Sequence, residues 1–177
     1  MRNLKIKVKS AKGRSISSTR WLQRQLNDPF VKEAKLQGFR SRSAFKLIEI
    51  DNKFNLLKKG HNVLDLGCAP GGWCQVAAQK VGVKSSENLV VGLDLKSCEP
   101  IVGVKFVEID FLDETQFLEF ENSIDKKFNV ILFCKPRRKL CAFVLPNISY
   151  LHFFDFFKIN FFHFLLFNIC LLYTSPS

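Results

Sequence analysis

The apolar positions of this chain change their period twice. From Ser17 to Phe54 they recur every three or four residues: Trp21, Leu22 and Leu26 follow the N-capping candidates Ser17, Ser18 and Thr19, until Asp28-Pro29 breaks the run. A second helix is predicted over about 30–37, with Gly38 as its C-terminal cap. A third runs from about Ser41 to Phe54, with Ala44, Leu47, Ile48 and Phe54 on one side and Arg40, Arg42, Lys46 and Lys53 among them. Lys58-Lys59-Gly60 then turns the chain into short Val, Ile and Leu runs that alternate with amphipathic stretches. NVLDLG, LVVGLDL, VKFVEIDF and FNVILF read as strands, WCQVAAQKV and DETQFLEFENSI as helices, and VKSSEN and SCEPIVG as connections. This alternation predicts an α/β fold with a doubly wound, mostly parallel sheet covered on both faces.

Beyond Leu132 the alternation dissolves. Residues 133–177 hold 10 of the 19 Phe, no Gly and a single acid. A membrane helix needs about 20 mostly apolar residues. Asp155, Lys158 and His163 interrupt the longest apolar run and Pro146 breaks the stretch before it, so no membrane span is expected. The closing CLLYTSPS matches the translation of a transposon-derived sequencing adapter, and the Phe-rich stretch resembles translated A/T-rich non-coding sequence. The expected organisation is a basic disordered arm over 1–16, the folded part over 17–132 and an unrelated tail over 133–177.

Charge sharpens this division. Residues 1–60 carry 16 Lys and Arg against 4 Asp and Glu, whereas residues 61–132 carry 6 against 11. A basic third beside a slightly acidic middle suits a polyanion next to a pocket for something else, because clustered cations bind phosphate chains through counterion release. Arg40, Arg42, Lys53, Lys58 and Lys59 are the candidate phosphate contacts; the bland alternative is solvated charge on helix faces. Trp21 could stack on a base, but the default reading has it staple the first helix to the core. The six Cys form no C-x-x-C and no His stands at ligand spacing, so reduced thiols and no metal are expected. The first 21 residues have no signal-peptide core, which points to the cytoplasm; their basic, Ser-containing character also fits a mitochondrial transit peptide.

In VLDLGCAPGGW an apolar strand ends on Asp65 and Gly67, a tight turn holds Gly71 and Gly72, and a helix starts at once. Open α/β sheets bind ligands beyond the carboxyl ends of their strands, where glycine lets a ligand approach the backbone. The spacing G-x-G-x-x-G is absent, which disfavours NAD. Asp94 ends the second strand, where a carboxylate can accept ribose hydroxyls, and Asp110 ends the third, within reach of an adenine amino group. Each acid alone is more often a helix cap. Three at consecutive strand ends around one glycine turn favour an adenosine-bearing cofactor.

SSTRWLQRQLNDPF, GFRSRSAFKLIEI, VLDLGCAPGGWCQVA, VGLDL, EPIVGVKFVEIDF and FNVIL, over about Ser17 to Leu132, resemble the FtsJ family of S-adenosylmethionine-dependent ribosomal RNA large subunit 2'-O-methyltransferases. The resemblance implies a Rossmann-like class I methyltransferase fold, incomplete in its C-terminal half, acting as a monomer on ribosomal RNA or the large ribosomal subunit. It assigns Asp65, Gly67, Gly71 and Trp73 to the cofactor loop, Asp94 to the ribose and Asp110 to the adenine. Lys46 matches the first lysine of the family's catalytic Lys, Asp, Lys and Glu; without the resemblance it reads as one exposed cation of an amphipathic helix. After the fourth strand the family places a Ser-Asp-containing turn, and Phe133, Cys134, Lys135 and Pro136 stand there instead. The parent enzyme is therefore expected to methylate RNA, and this chain to be an impaired fragment or a non-catalytic RNA-binding module.

Overall fold

The structure, a computed structural model, describes residues 6–8, 12–82, 89–134 and 140–144. The connection VKSSEN, most of the expected tail and part of the expected arm lie outside the described residues. Three helices come first. Helix α1 (Ile16–Asn27) is capped by Ser15, whose side chain accepts from the Ser18 N–H, two residues earlier than the caps read from the sequence. Asp28 ends α1 and caps α2 (Pro29–Leu36), accepting from the Phe30 N–H at 2.9 Å. Helix α3 (Ser43–Phe54) closes on Asn55 in the left-handed region at φ 50°. Phe45 packs between Phe30 and Phe39, with ring centroids 6.0 and 5.7 Å away, and this joins α2 to α3.

The sheet comes next, as β1 (Val63–Leu66), α4 (Gly72–Val81), β2 (Val90–Asp94), β3 (Val104–Glu108), α5 (Glu114–Asn122) and β4 (Val130–Cys134). The strands lie in the order β3-β2-β1-β4-β5, with β1 to β4 parallel and β5 (Leu140–Val144) antiparallel to β4. The strand β5 was not expected from the sequence. LCAFV is short, and no glycine turn marks its boundaries, so its apolar character alone did not separate it from the Phe-rich stretch. The chain leaves β1 toward β2 and β3 and returns on the other side as β4. The reversal puts a switch point beside β1, where open α/β sheets have their binding crevice.

Two cores occupy the two faces. Val63, Val90, Val130 and Leu132 pack with Ala44, Leu47, Trp73, Val76 and Ala77 of α3 and α4. Leu64, Leu66, Val91, Leu93 and Ile131 pack on the opposite face with Phe117 and Phe120 of α5. Successive strand residues point to alternate faces, so the near-continuous apolar runs of β1 and β2 serve both layers, as a doubly wound sheet requires. Asp51 is a buried acid on α3: it pairs with Lys80 at 2.9 Å and accepts from the Leu57 N–H at 2.8 Å. This ties the α3–β1 connection to the end of α4.

Helix α1 stands apart from both cores. None of its residues is buried, and Trp21 is 54% exposed. The expectation that Trp21 staples α1 to the core is therefore wrong: α1 rests on α2, which itself buries only Ala34. What α1 does hold is residues 6–8. The Asn27 and Gln23 amides accept from the Ile6 and Val8 N–H groups at 2.8 and 3.1 Å, and both amides donate back to the Ile6 carbonyl.

Candidate functional site

The parallel strands β1, β2 and β3 end at one edge of the sheet, and the turn after β1 is shaped by two glycines with positive φ. Gly67 (φ +74°) donates to the Leu93 carbonyl at 2.8 Å, and Cys68 donates to the same carbonyl at 3.1 Å. Gly71 (φ +99°) is the N-cap of α4, and a Cβ there would lie 3.1–3.3 Å from Ile101, Arg40 and Phe106. A Cβ on Gly72 would collide with the Ser41 hydroxyl. The residues before α3 thus press directly on the glycine turn. Trp73 completes this seam: it is 3% exposed and its indole N–H donates to the Ser43 carbonyl at 2.8 Å. Its ring belongs to the core beneath the turn.

Asp94 stands at the end of β2 with both oxygens held: Oδ2 accepts from the Ala69 N–H and Oδ1 from the Lys96 N–H, each at 2.9 Å. A carboxylate offers about four acceptor positions, so roughly half remain for a ligand. Beside it opens a cavity of about 150 Å³ lined by Cys68, Gly92, Asp94, Ser97, Cys98 and Phe106, among others. Gly92 keeps this space open, since a Cβ there would lie 2.7–2.9 Å from the Cys68 and Cys74 sulfurs and Phe106.

The remaining acids are placed differently. Asp65 is 1% exposed; its Oδ2 accepts from the Cys74 thiol at 3.2 Å and its Oδ1 has no partner among the described residues. Burial pushes its carboxyl up to about 7, with Asp94 adding repulsion and the Cys74 bond opposing. Desolvation of the charged form explains the direction. Asp110 lies just past β3, where its Oδ1 accepts from the Leu112 N–H at 2.9 Å and its own N–H donates to Gln116 at 3.1 Å. It does not line the cavity beside Asp94.

The basic residues divide. Arg40 reaches over the glycine turn, donating to the carbonyls of Glu99 at 2.5 Å, Pro100 at 2.8 Å and, weakly, Pro70 at 3.4 Å. Its backbone N–H donates to Gln75 of α4. No feature of the sequence signalled this clamp, because its acceptors are backbone groups 59 and 60 residues away. Arg42 pairs with Asp28. Lys46 is half-buried on α3 between the buried Ala44 and Leu47, without an ion pair among the described residues. Lys53, Lys58 and Lys59 lie at the other end of α3, where Gly60 bonds to the Val81 carbonyl at the end of α4. A 12-residue helix spans about 18 Å, so the structure does not bring these three together with the strand ends.

Comparison with known proteins adds to this geometry. The profile of FtsJ-like methyltransferases matches residues 39–151, starting later and ending later than the resemblance read from the sequence. The ribosomal RNA large subunit methyltransferase E of Ruegeria pomeroyi is 55% identical over 118 residues, covering 64% of this chain and 51% of that protein. Its counterpart in Azorhizobium caulinodans is 50% identical over 131 residues, covering 74% and 55%. The chain spans about half the length of the curated relatives it matches. A solved Plasmodium falciparum protein assigned as a ribosomal RNA methyltransferase is 34% identical over 63% of this chain and 59% of that one, with a TM-score of 0.47.

Proposed function

Because the chain belongs to the FtsJ-like methyltransferase family, we propose that it holds S-adenosylmethionine at the ends of β1 and β2 and serves methyl transfer to a ribose 2'-OH of ribosomal RNA. The observation that carries this reading is Asp94, a carboxylate fixed by two backbone N–H groups at the mouth of a cavity, with acceptor capacity left for two ribose hydroxyls. The glycine turn fits the same ligand. Gly71 and Gly92 sit where a Cβ would crowd their neighbours, so side chains there would close the approach to the backbone.

When bound, the cofactor supplies an electrophilic methyl group on a sulfonium. The chain's own residues bind, orient and manage a proton. Asp94 takes the ribose; Gly67 and Gly71 let the cofactor lie against the turn; Trp73 and Ser43 hold α3 to that turn, so that Lys46, three residues on, is carried by a helix fixed to the binding loop. Positioning of this kind supplies much of the barrier reduction in a transfer between two bound partners. A cationic Lys46 stabilises oxygen charge at the 2'-position, and a neutral one accepts its proton; a neighbouring acid decides which. The ring-and-cation surface of α1, with Arg20, Trp21 and Arg24 and no acid before Asp28, supports RNA as the partner. The family match supports transfer over a non-catalytic RNA-binding module.

The test is calorimetric. The protein is expected to bind S-adenosylmethionine and its demethylated product, and Asp94→Ala to lose about 1.5–3 kcal/mol, roughly 10–150-fold in affinity, as for a hydrogen bond to a charged group. Unchanged affinity in Asp94→Ala, or tighter binding of NADH than of either compound, defeats the reading. Label transfer to ribosomal RNA, with a relative's C-terminal half joined after β4 and Lys46→Ala as control, tests the proton role.

A further inference from the structure

Cys68, Cys74 and Cys98 converge beside the proposed cofactor cavity, and the proposed methyl transfer uses none of their sulfurs. Cys68 lies in the turn after β1 and Cys98 in the connection after β2; their Sγ atoms are 3.9 Å apart. Both line the cavity next to Asp94. Cys68 is 6% exposed, whereas Cys98 is partly open to solvent. A disulfide needs its sulfurs at about 2.05 Å, so the pair must close by about 1.9 Å. Cys98 belongs to an irregular connection rather than to a strand, so that connection can supply the movement. Gly92 beneath them provides the room: a Cβ there would lie 2.7 Å from the Cys68 sulfur.

We propose that Cys68 and Cys98 are a reversible thiol–disulfide pair whose closure by a peroxide shuts the cavity to the cofactor. The more accessible Cys98 thiol attacks the peroxide oxygen, the O–O bond breaks, and a sulfenic acid and one molecule of water or alcohol form. The Cys68 sulfur then attacks the Cys98 sulfur; the S–S bond forms, the second water leaves, and both thiol protons end in the products. The two sulfurs are oxidised by two electrons in all, and the peroxide is reduced by two. A small thiol reverses the step by exchange. Burial and the neighbouring Cys68 push the Cys98 thiol up to about 12, so little thiolate exists at neutral pH and the pair responds to sustained oxidant rather than to a brief pulse.

The functional part rests on the proposed cofactor assignment. A cavity of about 150 Å³ is already below the roughly 300 Å³ at which ligand pockets begin, so its walls must part to seat a nucleoside. A bridge that draws the Cys98 wall inward opposes that opening. Linkage then requires the reciprocal effect: bound cofactor protects the pair from oxidation.

Trypsin provides the assay, because cleavage after Lys59, Lys80, Lys96 and Lys105 places Cys68 and Cys74 in the peptide 60–80 and Cys98 in 97–105. After hydrogen peroxide treatment and alkylation, the expected product is 60–80 joined to 97–105, with fragmentation assigning the bond to Cys68, and a reducing thiol separating them. Calorimetry of the oxidised protein is expected to show at least a tenfold loss of S-adenosylmethionine affinity, and Cys98→Ser must lose that response to oxidant. Absence of the joined peptide, or a bond to Cys74, overturns the pair. A joined peptide with undiminished cofactor binding overturns the closure. Failure of the reduced protein to bind cofactor at all sinks the cofactor assignment and with it the closure, while the peptide assay still decides the pair.

Discussion

Arg40 separates two accounts of the same residue. Its place in a basic segment marks it as a phosphate contact, but the structure spends its guanidinium on the carbonyls of Glu99 and Pro100, across the glycine turn. A charged hydrogen bond contributes about 1.5–3 kcal/mol. Two such bonds total about 3 kcal/mol at the lower end of that range, and solvent screening at this half-exposed site reduces it, so replacement by Ala frees the connection after β2 by about 2 kcal/mol. That connection carries Lys96, Ser97 and Cys98, which line the cavity. A binding-competent form made rarer by about 2 kcal/mol raises the apparent Kd roughly thirtyfold. Arg40→Lys should recover little, because an ammonium is a point charge and cannot fork across two carbonyls. Calorimetry with S-adenosylhomocysteine, paired with anisotropy of a labelled single-stranded RNA, reads both accounts at once. A donor Kd unchanged in Arg40→Ala together with weakened RNA binding would refute the clamp.

The buried acid and the exposed ring each carry a further expected outcome. Asp65 titrates at about 7 when folded against an ordinary value of 3.8; the folded state keeps a proton that the unfolded chain loses, so stability falls as pH rises through that window, by up to about 4 kcal/mol. Asp65→Asn cannot titrate, so urea-unfolding free energies of wild type and variant should diverge with pH, and a difference constant within about 0.5 kcal/mol over that window counts against the shift. Trp21 is 54% exposed while Trp73 is 3% exposed, so RNA that stacks on α1 should change the emission of Trp21; Trp21→Ala should cost about 1–3 kcal/mol of RNA affinity, with Trp21→Phe retaining most of it. Emission indifferent to saturating RNA removes stacking.

Sequence and structure agree where one physical signal dominates. The strands β1, β2 and β4 are apolar on both faces and were legible as such, as was the glycine turn, because positive φ at Gly67 and Gly71 is a demand that the sequence must meet with glycine. The placement of Asp94 at a strand end was legible because the apolar run LVVGL stops there. The clamp by Arg40, the seam between Ser41, Ser43 and α4, and the Cys68–Cys98 approach were not, since each joins residues at least 30 positions apart through backbone groups, a hydroxyl or sulfur. Trp21 misled because a large ring on an amphipathic helix is usually a buried one. Among the described residues, the helix has almost nothing to be buried against.

On the proposed function, binding and transfer draw on different parts of this chain. Asp65, Gly67, Gly71 and Asp94 are positioned by β1, β2 and the turn between β1 and α4, and these strands are held by pairing with each other and by the two cores. The resemblance read from the sequence would place a proton-handling acid just after β4, where Phe133, Cys134, Lys135 and Pro136 offer a cation and no carboxylate. Lys46 makes no ion pair among the described residues. On the proposed function, the cofactor pocket can be complete in its residues while the transfer step lacks that acid, and this reading predicts donor affinity without turnover.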